Sequence, residues 1–110
     1  MWEIDTTYID DWIAALNRQE YRKVSDALLF LAEHGPSLGR PFVDTLRGSA
    51  ISNLKELRPR GSNIRIIFAF DYQRAAILLV AGDKTNRWNK WYRENIPLAE
   101  ARWNQHLRKL

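Results

Sequence analysis

Between Arg18 and Gly35 the apolar residues Tyr21, Val24, Leu28 and Leu31 return every three or four positions. That is the spacing of one helix face, and Gly35-Pro36 stops the run. Upstream, Tyr8, Trp12, Ala15 and Leu16 keep the same spacing, with Ile9 and Ile13 beside them. A first helix is expected from Thr6 or Thr7 to Leu16. Either threonine can cap it, and Asp10 and Asp11 fall where the helix dipole favours acids. Asn17 ends it. Only a few residues separate the two runs, which predicts a helical hairpin. Residues 1–4 carry a weak signal for an edge strand.

The period then changes from about four to two. Leu54 to Arg58 reads as a strand, Pro59 to Asn63 as a turn, Ile64 to Asp71 as a second strand and Ala75 to Ala81 as a third. Such short links fit an antiparallel meander. Ile64, Ile66, Phe68 and Phe70 share one face, and Arg65, Ile67 and Ala69 the other. On the first strand Leu54, Glu56 and Arg58 alternate with Lys55 and Leu57. Between helices and strands lies 36-PSLGRPFVDTLRGS-49, whose two prolines and two glycines predict a loop. Phe42, Val43 and Leu46 are expected to tack it to the core. The tail from Trp88 to Leu110 is mostly helical, with Pro97 expected in the first turn of the last helix and Asn95 or Ile96 near its cap. Ala99, Trp103, His106 and Leu110 can face a sheet. The pattern predicts an α+β fold: an N-terminal helical hairpin, a curved antiparallel sheet and a C-terminal helix, in one domain over residues 1–110.

Composition narrows the chemistry. The chain has 110 residues and no cysteine, which excludes a disulfide scaffold, cysteine zinc sites and thiol catalysis. No signal peptide or membrane span is legible, so a soluble, cytoplasmic protein with no membrane role is expected. Charge is divided unevenly. Residues 1–53 hold five Lys/Arg against eight Asp/Glu, residues 54–93 nine against three, and residues 94–110 three against two. A basic middle on an acidic start suits nucleic acid, phosphate or an acidic protein partner. No glycine-rich phosphate loop is present. His34 and His106 lie in unrelated helices without a metal-ligand pattern, so no metal site is read.

The basic residues can be sorted by strand alternation. With Leu57 and Ile64, Ile66, Phe68 and Phe70 in the core, Glu56, Arg58 and Arg65 are expected to face outward. Arg58 and Arg65 are equidistant from the turn, so antiparallel pairing makes them neighbours. Two like charges side by side are unfavourable unless an anion, or Glu56, sits between them. Two guanidiniums at close range are what a phosphodiester transition state needs. The plainer reading is a Glu56–Arg58 surface pair with Arg65 at its rim. Lys84 and Arg87 follow the third strand and lie near Arg65 in a meander. Trp88, Trp91 and Tyr92 interleave with Lys90 and Arg93, a mixture that suits RNA, where bases stack on rings. Anchoring of the last helix accounts for at least one tryptophan equally well.

These residues resemble the RelE/HigB superfamily of toxins from type II toxin–antitoxin modules, in its phage-derived branch. Leu54-x-Glu56-Leu57-Arg58, Ile64-Arg65-Ile66-Ile67-Phe68, Gly82-x-Lys84-Thr85 and Ile96-Pro97-x-Ala99-Glu100-x-Arg102 carry the resemblance. It implies a RelE-like microbial ribonuclease-type fold and a metal-independent, cofactor-free endoribonuclease that cleaves messenger RNA, in many members on the ribosome. It implies Arg58, Arg65 and Lys84 as catalytic residues; Leu54 and Glu56 stand where some members carry lysines, and Lys84 and then Glu56 are the candidates for the general base, Glu56 being the fourth catalytic candidate. Lys55, Arg60, Arg87, Lys90 and Tyr92 are the candidates that hold RNA. The partner it implies is a cognate antitoxin, a small helix-turn-helix protein. Two other functions fit the same pattern: a ParE-like toxin that acts on DNA gyrase without nuclease activity, and a basic interaction module with no catalysis.

Overall fold

The computed structural model describes all 110 residues, Met1–Leu110. Its strands are β1 (Glu3–Asp5), β2 (Val43–Thr45), β3 (Lys55–Leu57), β4 (Ile64–Phe70) and β5 (Ala75–Asp83). Its helices are α1 (Asp10–Ala14), α2 (Arg18–His34) and α3 (Trp88–Lys109), with 3-10 turns at Thr7–Ile9 and Gly35–Ser37. The strands form one sheet in the order β1-β5-β4-β3-β2. The meander β3-β4-β5 and the β2–β3 pair are antiparallel, whereas β1 lies parallel to β5 at one edge. The α+β architecture matches the pattern of the chain, and the weak edge-strand signal corresponds to β1.

Helices cover both faces of the sheet, because both faces are apolar. Ile64, Ile66, Phe68, Ala76 and Leu78 pack with Val24 and Leu31 of α2 on one side. Ile67, Ala69, Ile77, Leu79 and Val80 pack with Trp91, Ile96, Ala99 and Trp103 of α3 on the other. An irregularity in the ladder sets which residues of β5 meet α3. Ile67 pairs with Val80 but Phe68 with Leu78, which leaves Leu79 as an extra residue, a β-bulge. Ala75, Ile77 and Leu79 therefore face α3 before the bulge, and Val80 and Gly82 face it afterwards. The parity change carries Lys84 to the α3 side as well.

Several expectations are corrected. Asn17 does not end the first helix; it caps α2. Its Oδ1 accepts from the Glu20 N–H at 2.8 Å and Glu20 Oε1 accepts from the Asn17 N–H at 3.0 Å, a capping box. Neither Thr6 nor Thr7 caps a helix with its side chain; the Thr6 hydroxyl donates to Asp10 instead. In the helical hairpin α1 is a single short turn, and Trp12, Ile13 and Leu16 pack against the core cluster that holds Val24 and Leu31 of α2. The stretch 36–49 is not all loop. The Gly39 carbonyl accepts from both Phe42 and Val43, and this tight turn delivers β2 to the edge of β3. Val43 and Leu46 are buried there. Pro97 lies inside α3 rather than in its first turn. An interior proline weakens a helix by roughly 3 kcal/mol. Here it is exposed, and buried Trp91, Ile96, Ala99 and Trp103 hold the helix on both sides of it.

Gly82 sets how closely α3 can approach the sheet. It pairs with Arg65 across the ladder, and a Cβ there would overlap the Trp91 indole nitrogen. Gly82→Ala is expected to destabilise the fold by about 2 kcal/mol, in the range of overpacked cores. Chemical denaturation checks this; an unchanged midpoint would mean that Trp91 does not bear on β5.

Candidate active site

The register that pairs Glu56 with Ile67 and Leu57 with Ile66 brings Arg58 opposite Arg65. The expected neighbours are therefore neighbours. Arg58 keeps an open side, but Glu56 and Arg65 do not face outward. The first turns of α3 lie over this end of the sheet, and Glu56 is only 4% exposed. The Arg65 side chain is 13% exposed and that of Arg58 37%.

One carboxylate oxygen gathers the group. Glu56 Oε1 accepts from Arg58 Nε at 3.0 Å and from the Tyr92 hydroxyl at 3.0 Å. Arg65 Nε stands 3.3 Å from the same oxygen, as an ion pair without hydrogen-bond alignment. Arg65 Nη1 donates to the Ile64 carbonyl at 2.8 Å, which fixes the guanidinium plane. Behind Arg58, Asp44 Oδ2 lies 3.5 Å from Nη2. Burial pulls the Arg58 pKa down, but the Glu56 hydrogen bond and charge, with Asp44, outweigh it and leave it raised.

Lys84 joins from β5 through the bulge. It is 5% exposed, and its Nζ donates to the Tyr92 hydroxyl at 3.2 Å. The ammonium also lies 3.9 Å from the Trp88 ring centroid, a cation–π contact. Asp83 and Thr85 hold the lysine from both sides, since Asp83 Oδ1 accepts from the Thr85 N–H at 2.8 Å and the Lys84 N–H reaches the Asn63 carbonyl at 3.1 Å. Burial lowers the Lys84 pKa, Arg65 and Arg58 lower it further, and Glu56 opposes them without reversing the sign. Tyr92 moves the other way. Burial, and then the charge and hydrogen bond of Glu56, push its phenol up to about 12 against the pull of Arg65. The phenol is thus a donor at neutral pH.

A cleft of about 290 Å³ opens onto this group, lined by Glu56, Arg58 and Tyr92 together with Arg47 and Asn89. Lys84 does not line it and stands behind Tyr92. Arg47 and Asn89 were not legible as site residues. Asn89 lies three positions before Tyr92 on one helix face, a usable signal. Arg47 comes from a stretch with no periodicity. The other expected RNA-binding residues do not converge here. Arg87 is paired with Glu94 on the surface. Lys55 stands on the alternate face of β3, the α2 side. Lys90 is exposed on α3 without an ion pair, and Arg60 lies over the Phe42 ring at 5.5 Å. Of the tryptophans, Trp91 anchors α3 and Trp88 remains 53% exposed beside Lys84.

His106 has a partner that its sequence position did not reveal. Its Nε2 lies 2.9 Å from Asp71 Oδ2. Asp71 also accepts the Gln73 and Ala75 N–H groups in the β4–β5 turn. This pair closes the far ends of β4 and α3, away from Arg65. His34 packs edge-on against Phe30 at 4.5 Å. No three of the histidines and acidic residues cluster as metal ligands.

Comparison with known proteins places these features in a family. The model of the phage-derived protein Gp49-like family matches residues 11–104. The chain is 50% identical over 94 residues to the Mycobacterium tuberculosis protein named "Putative toxin HigB3", covering 86% of this chain and 82% of that one. It is 47% identical over 109 residues to the HigB2 protein of the same organism, covering 96% of this chain but only 54% of that longer relative. Among solved structures, the archaeal RelE–RelB complex from Pyrococcus horikoshii matches with a TM-score of 0.52 at 19% identity, over 74% of this chain and 91% of that one, a likeness of fold. The chain belongs to the phage-derived Gp49-like family, within the RelE/HigB superfamily of toxins.

Two outcomes test the geometry. Ultraviolet titration of the four tyrosines should show one phenol ionising near 12, and Tyr92→Phe should remove it. Glu56→Ala leaves Arg65 without its counter-ion and Arg58 with Asp44 alone, and should destabilise the fold by about 3 kcal/mol. If it unfolds at the wild-type denaturant concentration, Glu56 does not hold the arginines together.

Proposed function

We propose that the chain is the toxin of a type II toxin–antitoxin module and an endoribonuclease that cuts messenger RNA on the ribosome, in the cytoplasm. The observation that carries the reading is the convergence of Arg58, Arg65 and Tyr92 on one oxygen of Glu56 at the wall of an open cleft. A phosphodiester in that cleft would meet Arg58 first, and guanidiniums stay charged throughout the working pH range.

In the proposed reaction Glu56, not Lys84, takes the proton of the 2′-hydroxyl. Its Oε2 accepts no hydrogen bond within the chain and Glu56 lines the cleft, whereas Lys84 does not. The 2′-oxygen bonds to phosphorus as the bond to the 5′-oxygen breaks. Arg58, which lines the cleft, stabilises the charge that builds on the phosphoryl oxygens, and Arg65 behind it adds to the positive field. The departing 5′-oxygen takes the Tyr92 proton, and Lys84 replaces it across the 3.2 Å hydrogen bond. A lysine with a lowered pKa is a better acid than an ordinary one, and this arrangement uses it as such. The products are a 2′,3′-cyclic phosphate and a 5′-hydroxyl, with no metal in the step. A cognate antitoxin, a small helix-turn-helix protein, would silence the chain.

The test is the chain incubated with messenger RNA, with and without ribosomes and a chelator. The expected cut leaves 2′,3′-cyclic phosphate and 5′-hydroxyl ends and is indifferent to the chelator. No cleavage under any of these conditions sinks the reading. A gyrase poison on the same fold would instead stay toxic after Arg58→Ala. The pH profile separates the roles given to Lys84. As the acid, it must be protonated, so the rate should fall as pH rises through a pKa below the ordinary lysine value of 10.5. As a base it would make the rate rise over the same window.

A further inference from the structure

Arg58 lines two hollows. One is the cleft under α3; the other, of about 320 Å³, lies on the α2 side of β3. Ala27 and Phe30 of α2, with Phe42 and Leu57, give the second hollow an apolar, partly aromatic floor. Three cations stand around it, Lys23, Arg58 and Arg60, against one acid, Asp26. Lys23 is not free to leave: its Nζ donates to the Gly61 carbonyl at 2.8 Å and ties α2 to the β3–β4 turn. Asp26 is exposed and forms no ion pair, so its carboxylate is open to a ligand.

The size is at the lower end of ligand sites, which run from about 300 Å³. One nucleoside fits that class, whereas a docked helix needs a groove of several turns. Excess cations favour a phosphate-bearing ligand, and an aromatic floor favours a base. Arg58 is the one residue shared with the cleft, so a strand whose phosphate meets Arg58 has a hollow on either side.

We propose that the α2-side hollow receives the base of the nucleotide next to the scissile phosphate, and that Asp26 selects a base with an amino group. The proposal rests on the ribonuclease reading for the strand's path. A carboxylate only accepts hydrogen bonds, so it pairs with the amino groups of adenine, guanine or cytosine. Uracil offers no amino group; its one edge donor, N3–H, is flanked on both sides by carbonyl oxygens that the carboxylate repels.

The test is an amide NMR titration of the full chain with the four nucleoside 5′-monophosphates and with inorganic phosphate. Amino-bearing nucleotides should shift Ala27, Phe30 and Phe42, with uridine monophosphate about tenfold weaker. Asp26→Asn, a surface change that leaves the fold alone, should erase that difference. Ala27→Leu should fill the hollow and abolish its shifts, while phosphate still perturbs Arg58 and Tyr92. Shifts confined to the cleft, or wild-type behaviour in both variants, overturn the proposal. So does a hollow that answers to an acidic, leucine-bearing peptide and not to nucleotides, which would mark it as a protein-docking site. A chain that binds nucleotides here yet cuts no RNA overturns the ribonuclease reading alone.

Discussion

The carboxylate of Glu56 is the point on which the site depends. Without it, β3 and β4 would set Arg58 and Arg65 side by side with only Asp44, 3.5 Å from Arg58, to offset their repulsion. With it, the same oxygen also fixes the Tyr92 hydroxyl, and through Tyr92 the ammonium of Lys84. Four side chains from β3, β4, the end of β5 and α3 thus share one electrostatic centre. The sheet register, the bulge at Leu79 and the close seat of Trp91 on Gly82 all position members of that centre.

The arrangement divides cations by duty. Arg58 reaches the cleft and is the most exposed of the three, while Arg65 is half-buried and Lys84 buried. Burial acts in opposite directions on the two groups that carry protons: it lowers the Lys84 pKa and raises that of Tyr92. A lysine that gives up its proton more readily than usual is thereby set beside a phenol that stays protonated. In the proposed reaction that pairing serves as a relay toward the leaving oxygen, with Lys84 as the acid.

Alternation along β3 and β4 was enough to pair Arg58 with Arg65 and to place Glu56 between them, because register about a short turn is arithmetic. The face they occupy was misread as solvent. Pro97 made the last helix look as if it began near Asn95, whereas α3 begins at Trp88 and its first turns cover Glu56 and Arg65. Burial of this face is legible in hindsight from Leu54, Ile67 and Ala69, all apolar on the same side. The bulge at Leu79 has no marker in an unbroken apolar run, so strict alternation would put Lys84 on the wrong face. β2 was hidden for another reason: three residues between turns carry too little periodicity to register. Asp71 and His106 are 35 positions apart, and nothing local joins them.

The central claim is that a guanidinium fork, not positive charge alone, forms the anion site at Glu56. Arg58→Lys keeps the charge and removes the fork, at the most exposed member of the group. The measurement is the initial rate of messenger RNA cleavage by this variant, beside its thermal unfolding. The account predicts a rate about a hundredfold lower with the fold retained. A folded variant that cleaves within a few-fold of the wild type would contradict it.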